Sequence, residues 1–337
     1  MTNDERIFAL QNWGYTHRQA TFLCTVALHG GYFLRRQYHK FLGQKPGASA
    51  ERLIQRGLAK GHIRIHGSAN RTLIYHLGAR SVYEALADDD NPNRRWRQPS
   101  SVKTKLMGLD FVLAHPQHRY LATEDEKIDF FCSTLGLERD CLFARDYPSR
   151  HPAGQKRTRY FVDRFPIFVT NATTHVGPLV SFCYVDAARA KPSGFETYLE
   201  HYRALFSSLP AFEVVYVAID PQIFPKAERV FAQCVRPSRY HPEDPLFARL
   251  REHFRIRELF ELQGSRCLDQ QRLDCFRDEL EEYHGPKFEA LYQQWKNEGD
   301  LGMRTHTATD QVCRVFRTWH VADEYQLFGD LTRATTL

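Results

Sequence analysis

Apolar residues recur at helical spacing through residues 17–29, where Ala20, Leu23, Cys24, Ala27 and Leu28 line one face. Thr16 stands at the expected N-cap and Gly30 with Gly31 at the expected end, so the pattern predicts a helix bounded on both sides. A second stripe, Leu34, Tyr38 and Phe41, predicts a helix over 33–42 with Arg36 and Lys40 opposite. After the turn Gly43-Gln44-Lys45-Pro46-Gly47, the residues Ala50, Leu53, Ile54 and Gly57 fall at i, i+3, i+4 and i+7. That spacing predicts a third helix over 48–59. Its other face carries Ser49, Arg52, Gln55 and Arg56, side chains that can reach base edges or phosphates.

The period then changes from that of a helix to that of a strand. Ile63 and Ile65 alternate with His62, Arg64 and His66, and beyond Gly67-Ser68-Ala69-Asn70 the residues Leu73, Tyr75 and Leu77 alternate in turn. Period-two patterning around a Gly/Asn turn predicts a hairpin. Helices followed at once by such a hairpin follow the order of a winged helix-turn-helix, with 48–59 as recognition helix and the hairpin as wing. A small helical domain with a merely solvated basic face is the blander alternative.

Charge turns this expectation toward function. Residues 35–80 hold ten Lys and Arg against one acid, Glu51. Residues 1–119 sum to +10, whereas the whole chain is +6, so residues 120–337 sum to −4. A basic module on a mildly acidic remainder is the footprint of a double-stranded DNA binder. The expected contacts are Arg35, Arg36, Lys40, Ser49, Arg52, Gln55, Arg56, Lys60, Arg64, His66 and Arg71.

Composition narrows the class. With 337 residues, 42% hydrophobic and 13% aromatic, the chain has room for two or three packed domains and is not of disordered composition. No apolar run approaches the roughly 20 residues of a membrane span. The first residues lack a signal-peptide pattern, so a cytoplasmic protein with no membrane partner is expected. Eight cysteines form no C-x-x-C pair, and buried free thiols are expected rather than disulfides or zinc. His62 and His66 have no acidic or thiol partner nearby in sequence, so neither metal nor cofactor is expected.

Residues 88–101 are polar and turn-rich and read as a linker after a short helix over 81–87. Within it Arg94, Arg95 and Arg97 flank Trp96, as a DNA-backbone contact or a solvated turn. Helices over 102–114 and 124–135 are expected to bridge to a second domain. There, 160–169 and 178–186 are rich in β-formers around a turn-like 170–177. The stripe Phe195, Tyr198, Leu199, Tyr202, Leu205, Phe206 and Leu209 predicts a helix over 194–209, followed by a buried strand over 212–220 and a helix over 224–234. The expected fold class is therefore α+β or α/β in several domains, with a central mixed sheet flanked by helices.

A winged helix followed by this order resembles the replication-relaxation family of plasmids and integrative elements, over residues 15–235. Val162-Asp163 stands where that family carries a Pro-Asp pair, and Tyr184-Val185-Asp186 where its second strand is acidic. The helix from Glu196 to Arg203 and the strand from Val214 to Ala218 fit as well. The resemblance implies a middle domain similar to the PD-(D/E)xK nuclease fold. A nuclease of that type needs two carboxylates for Mg²⁺ and a Lys near the attacking water. Asp163 and Asp186 would be the metal pair, yet Tyr184 replaces an acid and no Lys follows two positions after one on that strand. A nuclease-like but non-catalytic domain is expected, its two aspartates serving instead as strand-end partners of Arg164 and Arg189. Phosphate-loop, dinucleotide, nucleophile-elbow and zinc-protease motifs are all missing from the sequence.

Beyond residue 240, four stripes predict helices: Leu246/Phe247/Leu250/Phe254, Leu273/Phe276/Leu280/Tyr283, Phe288/Leu291/Tyr292/Trp295 and Val312/Val315/Phe316/Trp319. Residues 241–302 carry 9 basic and 14 acidic side chains, so this part repels DNA. The expected organisation is a winged helix over 1–87, a linker and bridging helix over 88–119, a nuclease-like domain over 120–240, and a helical region over 241–337 suited to packing or a homodimer interface. The function expected is a sequence-specific transcriptional regulator of a bacterial mobile element. A DNA-binding accessory protein for replication or mobilisation is the alternative, and a nuclease using Asp163 and Asp186 the third reading.

Overall fold

The computed structural model describes residues 1–69, 72–147, 157–163, 165–174, 177–187, 193–209, 211–235, 245–264, 270–298, 313–321, 325 and 332–333. The protein is mixed α/β and divides into two compact units, residues 1–235 with 313–337 and residues 236–312.

The first unit opens with α1 (Asn3–Gln11) and α2 (His17–His29). Thr2 and Thr16 cap them, each in a capping box closed by Glu5 and Gln19 respectively. Next come β1 (Tyr32–Leu34), α3 (Arg35–Leu42) and α4 (Ala48–Ala59), then β2 (Ile63–Ala69), β3 (Thr72–Leu77) and α5 (Arg80–Ala85). The helix expected over 33–42 thus begins later: Tyr32, Phe33 and Leu34 are wholly buried and pair antiparallel with Ile74–His76 of β3. A β-forming triplet that can satisfy its backbone on a neighbouring strand does so, and the helix starts where Arg35 reaches solvent. β3 is flanked by β1 and β2, both antiparallel, with an irregularity in β2 between Ile65 and Gly67. Phe22, Leu23, Val26, Phe33, Leu53, Ile54, Leu77 and Tyr83 form the core beneath.

α6 (Pro99–Ala114) has no dry and wet side: every residue from Leu106 to Val112 is buried. One apolar cluster runs from Tyr32, Leu34 and Ile74 through Leu106, Met107 and Phe111 to Phe168, Cys183, Val185, Val215 and Val217. The helix is therefore buried between the first module and a sheet.

That sheet contains β4 (Arg119–Tyr120), β7 (Ile167–Thr174), β8 (Gly177–Asp186), β9 (Ala211–Ala218) and β10 (Cys313–His320), in the order β10-β9-β8-β7-β4. β7 is antiparallel to β4 and β8, whereas β8, β9 and β10 run parallel. All eight residues of β9 are buried, as a central strand with parallel neighbours on both sides should be. Between β4 and β7 lie α7 (Glu124–Ile128), continuing as a π-helical segment Asp129–Thr134, and the hairpin β5 (Ala144–Tyr147) and β6 (Arg157–Tyr160). The parallel strands are connected through α8 (Ser193–His201), α9 (Arg203–Ser208) and α10 (Phe224–Cys234).

Four expectations change here. The run 160–169 is broken between β6 and β7, with Phe161 at φ +50°. The turn expected over 170–177 shortens, since β7 continues to Thr174 and pairs with Gly177 and Pro178. The helix over 194–209 divides at Tyr202. The fourth C-terminal stripe is not helical: Cys313–His320 pairs residue by residue with Ala211–Ala218. An edge of β9 leaves a full row of unpaired backbone groups, and a strand satisfies it where a helix cannot.

The second unit holds α11 (Pro245–Gln263), α12 (Gln270–Glu282) and α13 (Pro286–Glu298), as the other three stripes lead one to expect. Phe254, Leu291, Tyr292 and Trp295 form its core, and the Arg257 guanidinium lies 4.0 Å over the Tyr292 ring. One more strand, β11 (Thr332–Arg333), belongs to the first unit and pairs antiparallel with Ser68 and Gly67 of β2. Among the described residues, no helix is long and apolar enough to cross a membrane, and Cys24, Cys132, Cys141, Cys183, Cys234 and Cys275 are free thiols.

Candidate nucleic-acid interface

α4 buries Ala50, Leu53, Ile54 and Gly57, the face its spacing requires. Gly57 is there for room, because a Cβ would fall 2.2 Å from the Ile63 side chain at the start of the hairpin. With that face held down, Arg52 and Gln55 point to solvent and Ser49 is half-buried. Arg56, on the same outer side, donates from Nη1 to the Gly14 carbonyl at 2.6 Å and to Gln19 Oε1 at 3.0 Å. It ties α4 to the turn between α1 and α2.

The remaining expected contacts fall into two groups. Lys40, Lys60 and Arg64 are exposed, and Arg35 is exposed in an ion pair with Glu51 at 3.2 Å. A solvated pair of that kind is worth at most about 1 kcal/mol and opens readily. Arg36 is committed elsewhere, through two hydrogen bonds to the buried Asp110 carboxylate at 2.9 and 2.7 Å. His66 is buried beneath Trp96, ring centroids 3.9 Å apart. Arg71 lies outside the described residues.

The segment 88–101 is stitched into the module by Asn93. Its amide Nδ2 donates to the carbonyls of Ala27 and Leu28 at 2.9 and 3.2 Å, and its Oδ1 accepts from Lys105 Nζ at 2.6 Å. Its own carbonyl accepts from His76 Nε2 at 3.0 Å. Burial pushes the His76 pKa down to about 4, so the ring is neutral near pH 7, carries its proton on Nε2 and stacks on Tyr32 at 4.3 Å. Gly31, at φ +78°, lets the Asn93 carbonyl approach so closely that a Cβ would stand 2.4 Å from it. Together these contacts fix Trp96, more than half exposed, against the hairpin.

Each candidate carboxylate, Asp163 in the break before β7 and Asp186 at the end of β8, meets a tyrosine. Asp163 Oδ1 accepts from the Tyr202 hydroxyl at 3.1 Å, and Asp186 Oδ2 from the Tyr216 hydroxyl at 2.5 Å. Arg164 and Arg189, their expected partners, lie outside the described residues. Burial and the neighbouring aspartates push both phenols above their usual range, so they remain protonated donors. Among the described residues, no three His, Cys, Asp or Glu side chains gather as a metal site would require.

Sequence reading missed Asp110 as a partner of Arg36, and it missed Tyr325. The Tyr325 ring is fully buried, its hydroxyl donates to Asp110 Oδ2 at 2.6 Å, and the Arg36 guanidinium sits 5.1 Å over it. An acid on an otherwise apolar helix was the one available signal for Asp110. Compared with family models, curated proteins and solved structures, the chain matches none.

Proposed function

We propose that the chain is a sequence-specific double-stranded DNA-binding regulator of a bacterial mobile element, acting from the cytoplasm, with α3, α4 and the β2–β3 hairpin working as a winged helix-turn-helix. The observation that carries this reading is α4 itself. Ala50, Leu53, Ile54 and Gly57 are buried inside the module, while Arg52 and Gln55 stand in solvent. Arg to guanine and Gln to adenine are the pairings such side chains make in a major groove. The hairpin follows four residues later with Arg64 exposed, in the position of a wing on the backbone.

The central sheet is read as a support similar to a nuclease fold, of the replication-relaxation type. Its strand order, with β7 antiparallel to β4 and β8 and then a parallel crossover from β8 to β9 through α8 and α9, supports that reading. A homodimer, with the acidic helical unit as interface, would place two recognition helices on a roughly palindromic site.

Selection of bound sequences from a random duplex pool, followed by footprinting, tests the proposal. A protected site with a defined consensus is expected. Retention of all sequences equally, or of none, would remove the regulator reading. Light scattering on the selected duplex reports the stoichiometry.

A further inference from the structure

α2 gives only one of its faces to the core of its module. Ala20, Leu23, Cys24 and Ala27 are buried there, whereas Thr21, Thr25, Leu28 and His29, at i, i+4, i+7 and i+8, line a cavity of about 1030 Å³. The other walls are the end of α3, the end of α6 with the turn leading to β4, and the stretch from α7 into the π-helical segment. Sites for small organic molecules measure about 300–1000 Å³ and mix apolar walls with a few polar groups. This cavity stands at the upper end of that range.

The lining selects among ligands. Phe41, His118, Tyr120 and Phe130 bring rings to the walls, surfaces on which a flat aromatic body packs well. His29 is partly buried, and among the described residues neither of its ring nitrogens has a hydrogen-bond partner. Burial, reinforced by the Lys127 ammonium, pushes its pKa down to about 4, so near pH 7 the neutral ring offers one donor and one acceptor. Arg6 is almost fully buried and paired with Glu126 at 2.7 Å, yet its Nε has no hydrogen-bond partner among the described residues. A buried donor left unmet is costly, and a polar ligand atom would meet it. With Arg6 and Glu126 cancelling, two cations, Lys40 and Arg119, face a single acid, Asp129. Both cations are exposed, and among the described residues neither is in an ion pair. A neutral ligand would leave them uncompensated and a cation would be repelled; an anion is drawn in.

We propose that this cavity binds a small aromatic anion, its rings among the walls and its charge held by Lys40 and Arg119. The site has a regulatory consequence that rests on the DNA-binding reading above. Lys40 is also an expected phosphate contact, on the helix that leads into α4, so a bound anion competes with DNA for it.

The test titrates the full chain, without DNA, with anilinonaphthalene sulfonate and with phenylnaphthylamine, which has the same rings and no charge. Saturable binding of the sulfonate is expected, with the uncharged probe about tenfold weaker. Lys40→Ala and Arg119→Ala should each weaken the sulfonate about threefold at an unchanged melting temperature, since both side chains are exposed. Thr25→Trp, which fills the cavity from α2, should abolish binding; if it also lowers the melting temperature, the Lys40→Ala/Arg119→Ala double variant decides. Equal affinity for the two probes, or wild-type sulfonate binding in the double variant, would overturn the proposal and leave a solvent-filled crevice. With the site saturated, affinity for a labelled duplex should fall about threefold, and Lys40→Ala should remove that sensitivity. Unchanged duplex affinity would overturn the regulatory consequence. Probe binding by a wild type that binds no duplex would bring down the DNA-binding reading and leave the site standing.

Discussion

Arg36 grips Asp110 through both terminal nitrogens, at 2.9 and 2.7 Å, on a carboxylate that is almost fully buried. A basic residue in the middle of the basic module is thereby spent on architecture, holding α3 to α6. Asp110→Ala should cost about 3 kcal/mol or more, since it strands a charge whose partner is gone. Arg36→Ala should lower the unfolding midpoint in urea while the salt slope of DNA binding stays unchanged. A slope reduced by about one with normal stability would return Arg36 to the DNA contacts.

Arg52→Ala and Gln55→Ala should each cost about 1–3 kcal/mol of specific binding on a selected site and relax the preference at one position. Circular dichroism should match the wild type, because both side chains leave the Leu53/Ile54 face untouched. Equal affinity for cognate and scrambled duplexes in wild type and mutants alike would rule α4 out as the reading element.

His76 sets a pH dependence. Its folded pKa is lowered to about 4 from 6.5 by burial, so the unfolded chain binds the extra proton between those values. The contribution is present above about pH 6.5 and is lost as pH falls toward 4, on the order of 2–3 kcal/mol at most. His66, lowered by burial as well, acts in the same direction. Denaturant unfolding at pH 7 and pH 5 should show this loss, reduced in His76→Gln; an identical loss in that variant would assign it to other groups.

Gly31→Ala should destabilise by about 2 kcal/mol or more, from positive φ combined with the Asn93 carbonyl in the way. Thermal unfolding measures it, and a midpoint within error of wild type would mean that the 92–97 segment can move aside.

Incubation with Mg²⁺ or Mn²⁺ should leave plasmid and linear DNA intact. Asp163 and Asp186 are hydrogen-bonded by Tyr202 and Tyr216, and position 184 offers a phenol in place of a carboxylate. Cleavage abolished by Asp163→Asn and by Asp186→Asn would reverse this and restore the nuclease reading.

Local pattern foretold what local physics decides. The residues Ala20, Leu23, Cys24 and Ala27, capped by Thr16, specify α2 from within their own turns, and Ala50, Leu53, Ile54 and Gly57 do the same for α4. β10 was misread because Val315, Phe316 and Trp319 suit one face of a helix as well as an edge strand. What selects the strand is the open side of β9, about a hundred positions earlier. The same distance hid the Tyr325–Asp110 bond and β11, for which no periodicity exists to be read. Trp96 looked like linker because the residue that fixes it, Asn93, acts through amide hydrogen bonds that carry no hydrophobic signal.

The place of β10 in the sheet has a consequence for synthesis on the ribosome. The three-helix unit is an excursion between α10 and β10, and the Arg314 guanidinium meets the Val235 carbonyl at 2.5 Å, where the chain leaves and returns. Strand β9 therefore waits with one edge bare while the 94 residues between it and β10 are made. The helical unit, built from local contacts, can fold during that wait, whereas the sheet completes only after residue 320 has emerged. The Tyr325 anchor comes five positions later still, so the basic module is clasped among the last events of folding.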